Sequence, residues 1–98
     1  MKNAYMVEFD LPTVFNEEFM ALIPRQRFVI NQMMAEGSVQ NYSLSLDRSR
    51  LWAVMASENE FTLMEEISRF PLIDFMVPHI SRLMFHNSSS DVMEFSLN

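Results

Sequence analysis

The sequence predicts an α+β fold in which two helices cover one face of a four-stranded antiparallel sheet. Three observations lead to it. A period-two alternation, the period of a half-buried strand, marks "NAYMVEFD" near the start and "SVQNYSLSL" in the middle. Two longer runs instead repeat their apolar residues at helical spacing. In order, the segments give β-α-β-β-α-β, the ferredoxin-like split βαβ arrangement.

In "NAYMVEFD", Tyr5, Val7 and Phe9 fall on one face and Ala4, Met6 and Glu8 on the other. "LPT" breaks the strand. From Phe15 onward, Phe19, Leu22, Ile23, Val29, Ile30, Met33 and Met34 follow a helix. Pro24 lies inside that pattern and has no backbone N–H to donate, which predicts a kink or a restart. Gly37, the single glycine, directly follows "MMAE", where a helix closes with a left-handed residue.

Tyr42, Leu44 and Leu46 then oppose Asn41, Ser43 and Ser45. "DRSR" serves as a polar turn without an Asn-Gly signal, and "LWAVMA" is the return strand of a hairpin. In "SENE", Ser57 stands three residues before Glu60, a capping-box pattern for the second helix. Phe61, Met64 and Ile67, with Leu63 and Phe70, form its predicted buried stripe. Pro71 stops it, and "VPHISRLMF" makes the fourth strand. The domain thus spans residues 1–90. A tail over 91–98 carries Val92, Met93, Phe95 and Leu97 as a predicted hook onto a neighbouring subunit.

Ninety-eight residues suit one domain with a small core, and an apolar share of 49% beside 20% charged residues is ordinary for a folded protein. A net charge of −6, with the basic residues scattered, argues against nucleic-acid binding, which needs clustered cations. The absence of cysteine excludes disulfides and thiolate metal sites. No run is apolar enough to span a bilayer, and Glu8 and Asp10 interrupt the place of an export signal, so a cytoplasmic protein without membrane contact is expected. Ten methionines suit either core packing or adaptable interfaces.

Two helices shelter only one side of four strands. Kept in register, the alternation puts Met6, Asn41, Ser43, Ala53, Met55, Leu83 and Phe85 on the other side. That surface is too apolar to leave in water and too polar for a plain core. Face-to-face pairing in a homodimer or higher oligomer is the expected solution.

Glu36-Gly37 in "EGSVQ", Pro71-Leu72 with Phe75-Met76 in "RFPLIDFM", and His86, Ser88 and Ser89 in "FHNSS" resemble the motifs of the muconolactone isomerase family, small proteins of dimeric α+β barrel fold. The resemblance reaches to about Ser90. It implies a cofactor-free isomerase that shifts a double bond in a small carboxylated lactone or aromatic catabolite. Such chemistry needs a base, an acid and donors to stabilise an enolate. The sequence departs from the family's charged positions at Met6, Gln26, Phe28, Gln40 and Asn41, and Arg27 alone keeps a charge to meet a substrate carboxylate.

Glu8, mid-strand, is a candidate general base if buried, or a carboxylate paired with an arginine. His79 brings an imidazole, a side chain suited to proton transfer, and could return the proton, or stand as a surface histidine at a strand entrance. Arg82, mid-strand, needs a carboxylate partner, from a ligand or from the protein. Asn41 and Ser43 could orient a carbonyl or line a wet interface, and Tyr42 and Trp52 are expected to face the helices. In a cofactor-free oxygenase of the same architecture, Asn41 and Trp52 would carry more of the binding. His86 and the serines lack the surroundings of a nucleophile with its base, and two histidines at this spacing make a poor metal site. Two readings stand: an isomerase using Glu8, His79 and Arg82, or a non-catalytic dimeric module for ligand binding or assembly.

Overall fold

A computed structural model describes residues 2–89. Four strands, β1 (Asn3–Asp10), β2 (Val39–Leu44), β3 (Arg50–Ser57) and β4 (Val77–Arg82), form one antiparallel sheet in the order β2-β3-β1-β4. Helices α1 (Glu17–Glu36) and α2 (Glu60–Ile67) and a 3-10 turn (Ile73–Phe75) complete the ferredoxin-like α+β fold. The predicted tail hook at Val92, Met93, Phe95 and Leu97 lies outside the described residues.

The core sits between sheet and helices. Register pairs Tyr5 with Met55, Val7 with Ala53 and Phe9 with Leu51, so these residues share the helix-facing side. Phe19, Ile30 and Met33 from α1 and Leu63 and Ile67 from α2 meet them, and all are buried. The rings of Phe9 and Phe70 lie 5.5 Å apart, tilted, at the centre. The prediction that Ala53 and Met55 line the uncovered side is therefore corrected, because "LWAVMA" pairs one step out of the assumed phase. Trp52, Val54 and Ala56 take the open side instead. A one-residue change of phase inverts a strand's faces.

Asn16 caps α1, its Oδ1 accepting the Phe19 N–H at 2.8 Å, while Phe15 just outside stacks on Phe19 at 4.1 Å between ring centroids. The helix does not restart at Pro24. That residue is on the exposed side, where water can donate to the Met20 carbonyl that the proline leaves without an N–H. Gly37 closes the helix in the left-handed region at φ 87°, its neighbour Ser38 donating its N–H to the Met33 carbonyl. Glu36 then grips Arg69 with Nη1–Oε1 at 3.0 Å, which ties the end of α1 to the turn after α2.

At α2 the cap is Asn59 and not Ser57: Asn59 Oδ1 accepts the Thr62 N–H at 2.8 Å. The longer β3 absorbs Ser57. Moving the start changes the buried stripe to Leu63, Ile67 and Phe70, and leaves Phe61 75% exposed. The helix also ends at Ile67, ahead of Pro71.

The β2–β3 turn is built on Asp47. Its Oδ1 accepts from the Ser49 hydroxyl at 2.7 Å, the Ser49 N–H at 3.0 Å and the Ser45 hydroxyl at 2.8 Å. Arg48 takes the left-handed conformation at φ 63° that completes the reversal. The Ser49 hydroxyl and amide, with the Ser45 hydroxyl, pull the Asp47 carboxyl from its ordinary 3.8 to about 2. A depressed carboxylate stabilises the folded state above its unfolded pKa, and that contribution disappears as pH falls through the folded value. The turn is thus expected to hold its hydrogen bonds until the pH falls to about 2. Carbon-detected NMR titration of Asp47 checks this, and Ser49→Ala should move the midpoint upward. A midpoint left at its ordinary position in the wild type would sink the account.

Beyond β4, the Leu83 N–H still donates to the Ala4 carbonyl at 2.9 Å. The chain then turns across the end of the sheet. Leu83–His86 border one hollow with Asn3 and Ala4, and His86 and Ser88 border another with Gly37, Gln40 and Asn41 at the opposite edge. Phe85 therefore belongs to this crossing segment and not to a fourth-strand face.

Candidate functional site

A cavity of about 300 Å³ opens between α1 and the β2 side of the sheet. Phe19 and Ile23 of α1, Leu44 of β2, Leu51 of β3, and Leu11, Phe15 and Leu72 from the connecting segments form its apolar walls. Among the described residues, Gln26, Arg27 and Tyr42 are the lining residues with polar side chains. Gln26 occupies a core position of α1, on the same stripe as Phe19, Ile30 and Met33, and is 2% exposed. Its Oε1 accepts the Leu72 N–H at 3.0 Å and its Nε2 donates to the Tyr42 hydroxyl oxygen at 3.0 Å.

Burial pushes the Tyr42 phenol above its ordinary 10.0, with the Gln26 hydrogen bond pulling weakly the other way, so Tyr42 is a neutral hydroxyl across the physiological range. Arg27 stands exposed at the rim, and no ion pair engages it among the described residues. No Asp, Glu or His lines this cavity among those residues.

Four of the residues singled out from the sequence converge elsewhere. Ser43, Trp52, Glu8 and His79 are successive register partners, one from each strand, and form a row across the open face. Trp52 Nε1 donates to Glu8 Oε1 at 2.7 Å, and Arg50 Nη1 reaches Glu8 Oε2 at 3.3 Å. In the next row, Asp10 bridges Arg50 Nε at 3.3 Å and His79 Nε2 at 2.7 Å. Trp52 therefore faces away from the helices, contrary to expectation, whereas Tyr42 faces α1 as expected. Both Glu8 oxygens already accept hydrogen bonds, so Glu8 is in this chain an anchored carboxylate of a charged network.

Arg82 does not join them. It pairs with Tyr5 in register, on the helix side of the sheet, and its Nη2 donates to Asn3 Oδ1 at 2.9 Å. Asn41 lies on the open face but is used structurally. The β2–β3 register slips between Val39 and Asn41, and Asn41 Oδ1 accepts the Val54 N–H at 3.0 Å in the gap. Of the predicted ligand-binding residues, Arg27 alone lines the helix–sheet cavity.

Gln26 and Tyr42 were not among the candidates drawn from the sequence. The available signal was a glutamine interrupting the apolar stripe Phe19–Ile23–Ile30–Met33, since a buried amide must find partners. Four of the residues that carry the family resemblance have structural roles here. Glu36 holds Arg69, Gly37 supplies the left-handed turn, Leu72 donates to Gln26, and Phe75 packs edge-on to Phe19 at 5.5 Å. Among the described residues no cluster of His, Asp and Glu could hold a metal ion, and no helix is long and apolar enough to cross a membrane. Compared with known proteins, the chain matches no family model and no curated protein.

Proposed function

We propose that this chain is a muconolactone isomerase-like protein, a dimeric α+β barrel whose helix–sheet cavity takes a small unsaturated or aromatic-derived carboxylic acid. The observation that supports this is a guanidinium, Arg27, with no ion-pair partner among the described residues, at the rim of an apolar cavity of about 300 Å³. That volume is at the lower end for small-molecule sites, and apolar walls with few polar groups are their usual lining. A guanidinium recognises a planar carboxylate through two parallel hydrogen bonds. With no carboxylate or imidazole among the described lining residues, the cavity favours binding over proton transfer within it.

Calorimetric titration with benzoate and with cinnamate tests the reading. Saturable binding is expected, weakened roughly tenfold or more by Arg27→Leu with an unchanged melting temperature. Absence of saturable binding by both acids overturns it. The homodimer is supported by the open face, where Met6 and Val77 are exposed beside the charged network. Sedimentation velocity giving a monomer at micromolar concentration would contradict that part.

The second reading is a proton-transfer isomerase. It is favoured by Glu8 and His79 facing each other across β1 and β4, on the side that a second copy would enclose. It requires deuterium exchange from solvent into an unsaturated lactone acid, followed by NMR and lost in Glu8→Gln. Binding without exchange leaves a ligand-binding module.

A further inference from the structure

The helix–sheet cavity contains a hydrogen bond whose direction can be worked out. A backbone N–H can only donate, so the Leu72 amide, 3.0 Å from Gln26 Oε1, fixes which end of the Gln26 side chain is oxygen. The other end is then NH₂, and at 3.0 Å it donates to the Tyr42 oxygen. Tyr42 accepts there, so its own hydrogen must go elsewhere. Among the described residues no protein acceptor receives it. The phenol also holds this hydrogen throughout the physiological range, because burial opposes its ionisation.

We infer that Tyr42 is a specificity-determining residue of this cavity: its hydroxyl, already accepting from Gln26, has a hydrogen to donate and so favours a ligand bearing a neutral acceptor oxygen in addition to the carboxylate held by Arg27. The inference rests on the reading of the cavity as a carboxylic-acid site and adds to it a second point of recognition. A ligand offering a hydroxyl or amine hydrogen at that point gains less, since Tyr42 already receives one hydrogen from Gln26. A ligand offering only CH₂ there leaves the phenol hydrogen unsatisfied in an apolar enclosure. That loss is the more discriminating one, because an unmade buried hydrogen bond costs more than a made one gains.

The test compares cyclohexanecarboxylate with its 3-oxo and 4-oxo derivatives, acids of nearly equal shape that differ in one carbonyl, by calorimetry on the full-length protein. The wild type should bind at least one oxo acid roughly tenfold more tightly than the parent acid. Tyr42→Phe should erase that preference by raising the parent acid's affinity toward that of the oxo acids, since no phenol hydrogen is then left unsatisfied, with the dependence on Arg27 kept. Equal affinities for all three acids in the wild type overturn the inference and leave the acid site standing. So does a preference that survives in Tyr42→Phe. Failure of all three acids to bind removes the acid site and the inference together. The wild-type comparison decides without any variant, so poor folding of Tyr42→Phe does not blunt it.

Discussion

Phe9→Ala is expected to remove roughly 3–5 kcal/mol of stability, the usual range for truncating a buried aromatic. Phe9 lies on the strand between β3 and β4, fully buried, with its ring 5.5 Å from that of Phe70. Its removal opens a hole bounded by the sheet on one side and the turn after α2 on the other. Neither can collapse without shifting paired strands. Domains are stable by only about 5–15 kcal/mol, and small ones hold the lower part of that span. Urea unfolding should therefore show a large drop in midpoint, with much of the variant unfolded near 37 °C. Phe70→Ala should cost a similar amount, and the double variant less than the sum, because the two rings share one contact. A loss below about 1 kcal/mol would show that the core is not centred here.

Gln26→Leu is the second large effect, and its direction runs against simple hydrophobicity. Leucine matches the neighbours of position 26 on the α1 stripe, yet it strands the Leu72 N–H and deprives the Tyr42 oxygen of its donor. An orphaned buried donor costs about 1–3 kcal/mol, more than the added apolar contact returns in a site already lined with carbon. Hydrogen exchange adds a local signature. The Leu72 amide should exchange faster in Gln26→Leu by more than the global stability change explains. A variant as stable as the wild type, with a still-protected Leu72 amide, would refute this assignment of the hydrogen bond.

The fold was readable because alternation and helical spacing are local. Tyr5, Val7 and Phe9, and the stripe from Phe19 to Met33, declare their faces within a few residues of chain, and Gly37 announces its turn through conformation alone. The errors arise where a second, non-local fact decides. In "LWAVMA" every residue is compatible with burial, so only pairing with β1 shows that Ala53, not Trp52, points to the helices. At "SENE" both Ser57 and Asn59 can cap, and the length of β3 awards the role to Asn59.

The candidate sites divide in the same way. The row Ser43–Trp52–Glu8–His79 needs three registers to assemble, although its members could be named singly. The Gln26–Tyr42–Leu72 link joins residues far apart in sequence, and its only trace in the chain is one amide interrupting an apolar stripe.

The slipped register at Gln40 also governs how this molecule can associate. β2 is one border of the sheet, and there the slip, plugged by the Asn41 side chain, interrupts the regular ladder that an incoming strand would copy. The other border, β4, contains Pro78, which has no N–H to offer. Neither rim presents a continuous template, so fibril-like growth by strand addition is obstructed at both ends. Any contact between copies is thereby left to the broad surfaces, by stacking and not by strand addition.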